Sequence, residues 1–148
     1  MKYEPAKSAD FPEIEKLLSA MGLPSADIVG YLNNFIIARV GKKIVGVVGM
    51  ELYEEACLLR SLAVLPDHRG KGVARELFRR IVFHAKKTGV KEVYLLTMTT
   101  ETLCKKWGFK KIARSKVPRQ VLASKEFKGL CPRSAVCMCQ SIEEIVYE

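Results

Sequence analysis

Arg69-Gly70-Lys71-Gly72-Val73-Ala74 lies between an apolar run, Leu58 to Val64, and an amphipathic run, Val73 to Ala85. The order reads strand, glycine loop, helix, which is the layout of a phosphate cradle. Two glycines let the backbone turn tightly and approach a ligand with no Cβ in the way, and the N–H groups and dipole of the following helix N-terminus favour anionic oxygens. Arg69 and Lys71 bring positive charge to the same place. A lone Gly-x-Gly pair is equally an ordinary strand-to-helix connection, and it is the flanking strand and helix that favour the cradle. Two other phosphate loops are excluded by position. A dinucleotide G-x-G-x-x-G needs glycine where the chain has Arg75, and a P-loop needs Ser or Thr after Gly-Lys, where the chain has Gly72.

Working outward, Asp10 with Glu13 three residues on reads as a capping-box variant, and Pro12 suits a first helical turn. Ile14, Leu17, Leu18 and Met21 continue at helical spacing until Gly22, and a second short helix is expected after Pro24-Ser25. Phe35 to Val40 and Lys43 to Leu52 are rich in β-branched residues around Gly41-Lys42, the pattern of an antiparallel hairpin. Glu54-Glu55 marks the next turn and Cys57 to Val64 the next strand. Val73, Leu77, Phe78, Ile81, Val82 and Ala85 form one apolar helix face opposite Arg75, Arg79, Lys86 and Lys87, with Gly89 as the stop. Further on, Glu92 to Thr97 reads as a strand, Thr102 to Trp107 as a short helix closed by Gly108, and Phe109 to Ala113 and Ala135 to Cys139 as strands. Between the last two, the chain through Pro118 and Pro132 reads as irregular or briefly helical, and the tail Ser141 to Glu148 as a strand, a helix or a frayed end.

These elements predict one α+β (α/β) domain over residues 1–148, a size sufficient for a substantial core. Lys and Arg number 25 against 16 Asp and Glu, and the net charge of +9 favours an anionic ligand. Nucleic acid is the weaker choice, because the basic residues are dispersed with no aromatic-interleaved patch. The N-terminus carries no signal pattern and no run is of membrane-spanning length, so a cytoplasmic protein without a membrane partner is expected. Five cysteines include Cys131, Cys137 and Cys139, whose spacing is not that of a zinc ribbon or knuckle, and His68 and His84 supply no partner motif. Reduced structural thiols and no metal are expected, with a soft-metal or arsenite site as the alternative.

Arg69, Gly72 and Ala74 in R-x-x-G-x-A, preceded by Leu62-Ala63-Val64 and Pro66, resemble the pyrophosphate-binding motif of the GNAT superfamily of acyl-CoA-dependent N-acetyltransferases. The resemblance implies a mixed, mostly antiparallel sheet of about six to seven strands flanked by helices, with acetyl-CoA as cosubstrate. In that family two parallel strands splay apart around the pantetheine arm, and here they would be Leu58 to Val64 and Glu92 to Thr97. It assigns cofactor binding to Leu62, Ala63, Val64, Arg69, Gly70, Lys71, Gly72, Val73 and Ala74, and the Thr97 and Thr99 hydroxyls could bond CoA or substrate or else form a helix-capping cluster. A strand N–H would polarise the thioester carbonyl as charge develops on its oxygen.

The chain departs from the family pattern at two positions. The usual glutamate base falls on Leu58, which leaves Glu51 on the neighbouring strand as the candidate base, acting directly or through water, or else simply as an exposed strand glutamate. The usual tyrosine acid falls on Cys104, a thiol with an ordinary pKa of ~8.5 that could protonate the departing thiolate or serve only as a small apolar residue.

Leu59-Arg60-Ser61-Leu62-Ala63-Val64, Tyr94-Leu95-Leu96-Thr97 and Trp107-Gly108-Phe109 resemble short glutamate-type amino-acid N-acetyltransferases, and Leu130 to Met138 resembles acetyltransferases of arsenic-resistance operons. A guanidinium can grip a carboxylate bidentately. By period-two alternation Arg60 would share a strand face with Leu62 and Val64 at the acceptor end, and Arg133-Ser134 resembles an acceptor-holding pair. Each arginine could instead pair with Glu54 or Glu55 at the surface. The expected reaction is N-acetylation of a small carboxylate-bearing amine. A lysine acetyltransferase and a non-catalytic acyl-CoA-binding module are the alternatives, and a homodimer through a sheet edge stays open.

Overall fold

The structure is a computed structural model that describes residues 1–147. It contains strands β1 (Lys2–Pro5), β2 (Phe35–Val40), β3 (Lys43–Tyr53), β4 (Ala56–Val64), β5 (Glu92–Thr97), β6 (Lys110–Lys111) and β7 (Val136–Ser141). The helices are α1 (Phe11–Ala20), α2 (Val73–Lys87), α3 (Glu101–Lys106) and α4 (Arg119–Leu122). Seven strands form one sheet in the order β1-β2-β3-β4-β5-β7-β6. The β4–β5 pairing is parallel, whereas β1–β2, β2–β3, β5–β7 and β6–β7 are antiparallel, which is the mixed, mostly antiparallel sheet expected. The chain divides into two compact units, Met1–Glu51 with Arg60–His84, and Leu52–Leu59 with Ala85 onward.

In the first unit, Ile14, Leu17 and Leu18 of α1 pack with Ile28, Leu32, Phe35, Ile37, Ile44, Val47 and Ala63. Each of the larger of these side chains, Ala63 excepted, contributes about 1.5–3 kcal/mol when fully removed from water. Two glycines of β3 are needed for close approach. A Cβ on Gly46 would lie 3.0 Å from Leu77 and 3.2 Å from Val73, so the missing side chain lets α2 lie against the strand. Gly49 is the cross-strand partner of Phe35, whose ring fills the space a Cβ would need, 2.2 Å from that position.

The N-terminus of α1 differs from the expected capping box. Asp10 caps no helix N–H, because a 3-10 turn, Ser8–Asp10, runs into α1 and leaves Asp10 itself in helical geometry. Its carboxylate accepts instead from the Lys7 N–H (2.9 Å) and from Arg39 (2.8 Å). Glu13 likewise turns away from the helix end and accepts the Ile44 N–H at 2.8 Å. Here the local bond from Lys7 and the long-range donors Arg39 and Ile44 take the place of a cap on α1. β1, a four-residue edge strand ending in Pro5, has too little apolar pattern to be read from sequence.

The second unit packs Ala56, Leu58, Tyr94, Val117, Val121 and Cys137 into a separate cluster. β6 is only two residues long where Phe109 to Ala113 was expected, since the chain turns into a 3-10 segment, Arg114–Lys116, soon after. The link between Pro118 and Pro132 holds α4 and a π-turn, Glu126–Leu130, in which Gly129 takes φ 148°. Of the tail, Ile142–Glu144 is a 3-10 turn and the Val146 N–H donates to the Trp107 carbonyl at 3.0 Å, while Glu148 lies outside the described residues.

Candidate functional site

In the first unit, the chain leaves β4 through a 3-10 turn, Pro66–His68, and reaches α2 over Gly70 and Gly72. Both glycines are left-handed, with φ of 73° and 83°. A Cβ on Gly70 would meet nothing within 4 Å, and one on Gly72 only the Arg75 guanidinium at 3.8 Å. Backbone conformation, not crowding by the protein, therefore demands glycine here. The Gly72 carbonyl accepts the Glu76 N–H at 3.0 Å, so α2 begins immediately and the N–H groups of its first turn lack intrahelical acceptors. Arg69 is engaged within the protein: its Nε donates to the Val64 carbonyl at 2.9 Å and its Nη2 to Met21 Sδ at 3.0 Å, tying the loop to the end of β4. Lys71 and Arg75 are exposed and supply the loop's outward positive charge. Leu62 is half-buried, and Ala63 and Val64 are buried.

The middle of β4 carries a local distortion that the sequence does not announce. Ser61 has φ 61°, a left-handed conformation unusual for a non-glycine residue inside a strand. Simple two-residue alternation, on which the expectation that Arg60 shares a face with Leu62 and Val64 rests, is interrupted at such a point. The Arg60 side chain is fully buried in an ionic cluster of the same unit. Its Nη1 donates at 2.6 Å to Asp27 Oδ2 and at 2.6 Å to Glu51 Oε2, its Nη2 at 2.8 Å to Asp27 Oδ1, and its Nε at 3.0 Å to Ser61 Oγ. The Asp27 and Glu51 side chains are 3% and 1% exposed.

Glu51 and Arg60, expected as base and acceptor anchor, are thus brought together as an ion pair. Neither of the surface acids named as alternative partners holds Arg60: Glu54 accepts from Gln120 at 3.1 Å and Glu55 pairs with Lys91 at 2.8 Å. Asp27 was missed. Its signal was indirect, an arginine interrupting the apolar run of β4, because a buried charge requires a counter-charge from elsewhere in the chain.

In the second unit, Cys104 is buried on α3, with Sγ 3.8 Å from Thr100 Oγ1. Burial pushes its thiol above the ordinary value, with the Thr100 hydrogen bond acting in the other direction. The thiol is therefore protonated at neutral pH and retains a proton to give. Thr97 Oγ1 accepts the Thr100 N–H at 2.9 Å and lies 2.6 Å from Thr100 Oγ1, so this hydroxyl is engaged in the turn before α3, whereas Thr99 is exposed. Arg133 and Ser134 are exposed before β7, where Ser134 Oγ lies 3.8 Å from Met98 Sδ and the Arg133 carbonyl accepts from Arg114 at 3.4 Å. Burial raises the Cys137 thiol to about 11. Among the described residues, no group of three or more His, Cys, Asp or Glu could hold a metal ion, and no helix is long and apolar enough to cross a membrane.

The acetyltransferase (GNAT) domain family matches residues 32–111, a span that includes Glu51, Arg60, the glycine loop and Cys104. An uncharacterized N-acetyltransferase of Chlorobaculum tepidum is 27% identical over 112 residues, covering 75% of this chain and 70% of that protein. N-acetylglutamate synthase from Neisseria gonorrhoeae, complexed with coenzyme A and N-acetyl-glutamate, superposes on 95% of the chain with a TM-score of 0.83 and 19% identity. The chain spans only 35% of that synthase's length. A Mycobacterium tuberculosis protein in complex with CoA superposes on 95% of this chain and 99% of its own, with a TM-score of 0.78 and 20% identity. At those identities the two structures share the fold.

Proposed function

The chain belongs to the GNAT acetyltransferase family, and from that premise we propose that it transfers an acetyl group from acetyl-CoA to the amine of a small carboxylate-bearing acceptor, an amino acid or a toxic amino-acid analogue. The observation that carries the reading is the Arg69–Ala74 loop, with left-handed glycines at 70 and 72 opening the fifteen-residue helix α2. Its helix N-terminus, with Lys71, holds the pyrophosphate. The backbone of Leu62, Ala63 and Val64 holds the pantetheine arm, with the Val64 carbonyl shared with Arg69.

Glu51 takes a proton from the acceptor ammonium, directly or through water. The amine then attacks the thioester carbon, the C–N bond forms, the C–S bond breaks, and the acylated nitrogen gives its remaining extra proton to solvent. CoA leaves as a thiolate, which takes its proton from Cys104 or from solvent. A strand N–H facing the thioester oxygen stabilises the charge that develops there. Arg133 and Ser134, both exposed, are the groups proposed to hold the acceptor carboxylate, with Thr99 as a further hydroxyl near the cofactor. The fold shared with a synthase complexed with N-acetyl-glutamate supports an amino-acid acceptor.

The test is CoA release from acetyl-CoA, screened over amino acids, their phosphorus and arsenic analogues, polyamines and a lysine peptide. Turnover confined to carboxylate-bearing amines is expected. Turnover of the peptide alone would transfer the reading to lysine acetylation, and binding without any turnover would leave an acyl-CoA-binding module. The loop has its own test in Gly72→Val. A left-handed valine costs about 1–2 kcal/mol, and with side-chain bulk at the pyrophosphate it lowers acetyl-CoA affinity about tenfold or more. Unchanged affinity by calorimetry would overturn the loop assignment.

A further inference from the structure

We propose that Asp27 is a positioning residue for Glu51, acting through Arg60. The inference rests on the reading of Glu51 as the base. Asp27 precedes a 3-10 segment, Ile28–Asn34, whose Ile28 and Leu32 are locked in the first core, so its carboxylate projects from a fixed piece of backbone. It grips the Arg60 guanidinium with both oxygens, at 2.6 and 2.8 Å, which sets the plane of the group. Ser61 sets it a second time, through Nε at 3.0 Å, from a left-handed backbone that fixes where its hydroxyl stands. The same Nη1 that Asp27 holds then donates to Glu51 Oε2 at 2.6 Å.

Because the guanidinium is rigid and planar, fixing one edge fixes the direction from which Glu51 is held. A base must lie within hydrogen-bond reach of the proton it takes, and a carboxylate free to rotate would be so placed only part of the time. Packing alone does not require this arrangement, since buried ion clusters are often replaceable by apolar residues without loss of stability. A bidentate acid on the far side of Arg60 has a use where orientation matters.

The experiment pairs kinetics with a crystal structure of Asp27→Asn. Acetyl-CoA and L-glutamate serve as substrates, and Glu51→Gln is the reference. The expected result is a kcat lowered about tenfold or more, a KM for acetyl-CoA within about twofold of wild type, and a Glu51 carboxylate displaced in the structure. In the Glu51→Gln background the Asp27 change should have little further effect on kcat. If Asp27→Asn melts below the assay temperature, Asp27→Glu, which keeps the charge and moves the carboxylate, is read in its place.

A kcat near wild type for the Asp27 variant while Glu51→Gln is crippled overturns the positioning role, as does an Asp27 loss that persists in full without Glu51. Wild-type kcat in Glu51→Gln overturns the base reading itself, and with it the use for Asp27. If wild type does not turn over L-glutamate, the structure decides positioning by itself: Glu51 and Arg60 unmoved in Asp27→Asn would refute it.

Discussion

Arg60 sits between two carboxylates, and Glu76 sits between two guanidiniums. The first group of three is buried, with Arg60, Asp27 and Glu51 side chains 0%, 3% and 1% exposed. The second lies on the open face of α2, where Glu76 accepts from Arg79 and Arg80 at 2.7 Å each and the side chains are 27%, 53% and 44% exposed. The distances are nearly the same, so contact geometry cannot distinguish the two. Solvent does. On α2, water competes for every charge and salt screens the rest, so the contribution to stability is small. Around Arg60 the charges have been stripped of water, and each depends on its neighbours to offset that cost. Such a cluster is a poor general stabiliser and an intolerant one, which suits a place where orientation has to be held.

The contrast is broken most directly by Arg60→Met. Two buried carboxylates then lose a shared cation, and urea denaturation should show a loss of about 3–5 kcal/mol. A loss below about 1 kcal/mol would mean that the cluster is wet or easily rearranged.

A second experiment asks what burial does where no counter-charge acts. Burial alone pushes the Cys57 thiol up to about 12, well above the ordinary thiol range. The native state therefore keeps its proton while the unfolded chain gives one up. Stability falls as pH rises from about 9 toward 12, by about 1.4 kcal/mol per unit, and below pH 9 the group contributes no slope. Subtracting the pH profile of Cys57→Ala from that of wild type isolates this slope, and parallel profiles would refute it.

The smallest effect belongs to Glu76→Gln, about 0.5 kcal/mol at neutral pH and low salt, vanishing in high salt. Hydrogen bonding from Arg79 holds the Glu76 carboxyl below its ordinary 4.5. The pair's contribution is accordingly present above that value and lost as pH falls through the lowered one. An effect as large as that of Arg60→Met would erase the distinction drawn from burial.

What could be read from the chain follows the same division. The Arg69–Ala74 loop, the Gly41-Lys42 hairpin and the stops at Gly22, Gly89 and Gly108 are local, each written in a few adjacent residues, and all five of those glycine-bearing turns use positive φ. The Arg60 cluster joins residues 33 and 9 positions apart, and nothing beside Asp27 marks it as a partner. Ser61 hid for a different reason: no residue type advertises a left-handed serine in a strand, and the alternation used to place Arg60 assumes its absence. The capping box at Asp10 and Glu13 failed because Arg39 and the Ile44 N–H offered those carboxylates partners that local pattern does not register. Of the candidate site, the glycine loop with its left-handed turns was legible, whereas the partners of the ionisable side chains were not.

The ring of Phe35 over Gly49 carries an implication for descent. Position 49 cannot enlarge by itself, because the aromatic ring occupies the volume a methyl group there would take. Relatives with alanine or serine at 49 should therefore have a smaller residue at 35, and the two substitutions should be inherited together. In the laboratory the same dependence would appear as rescue, with Phe35→Leu restoring part of the stability that Gly49→Ala removes.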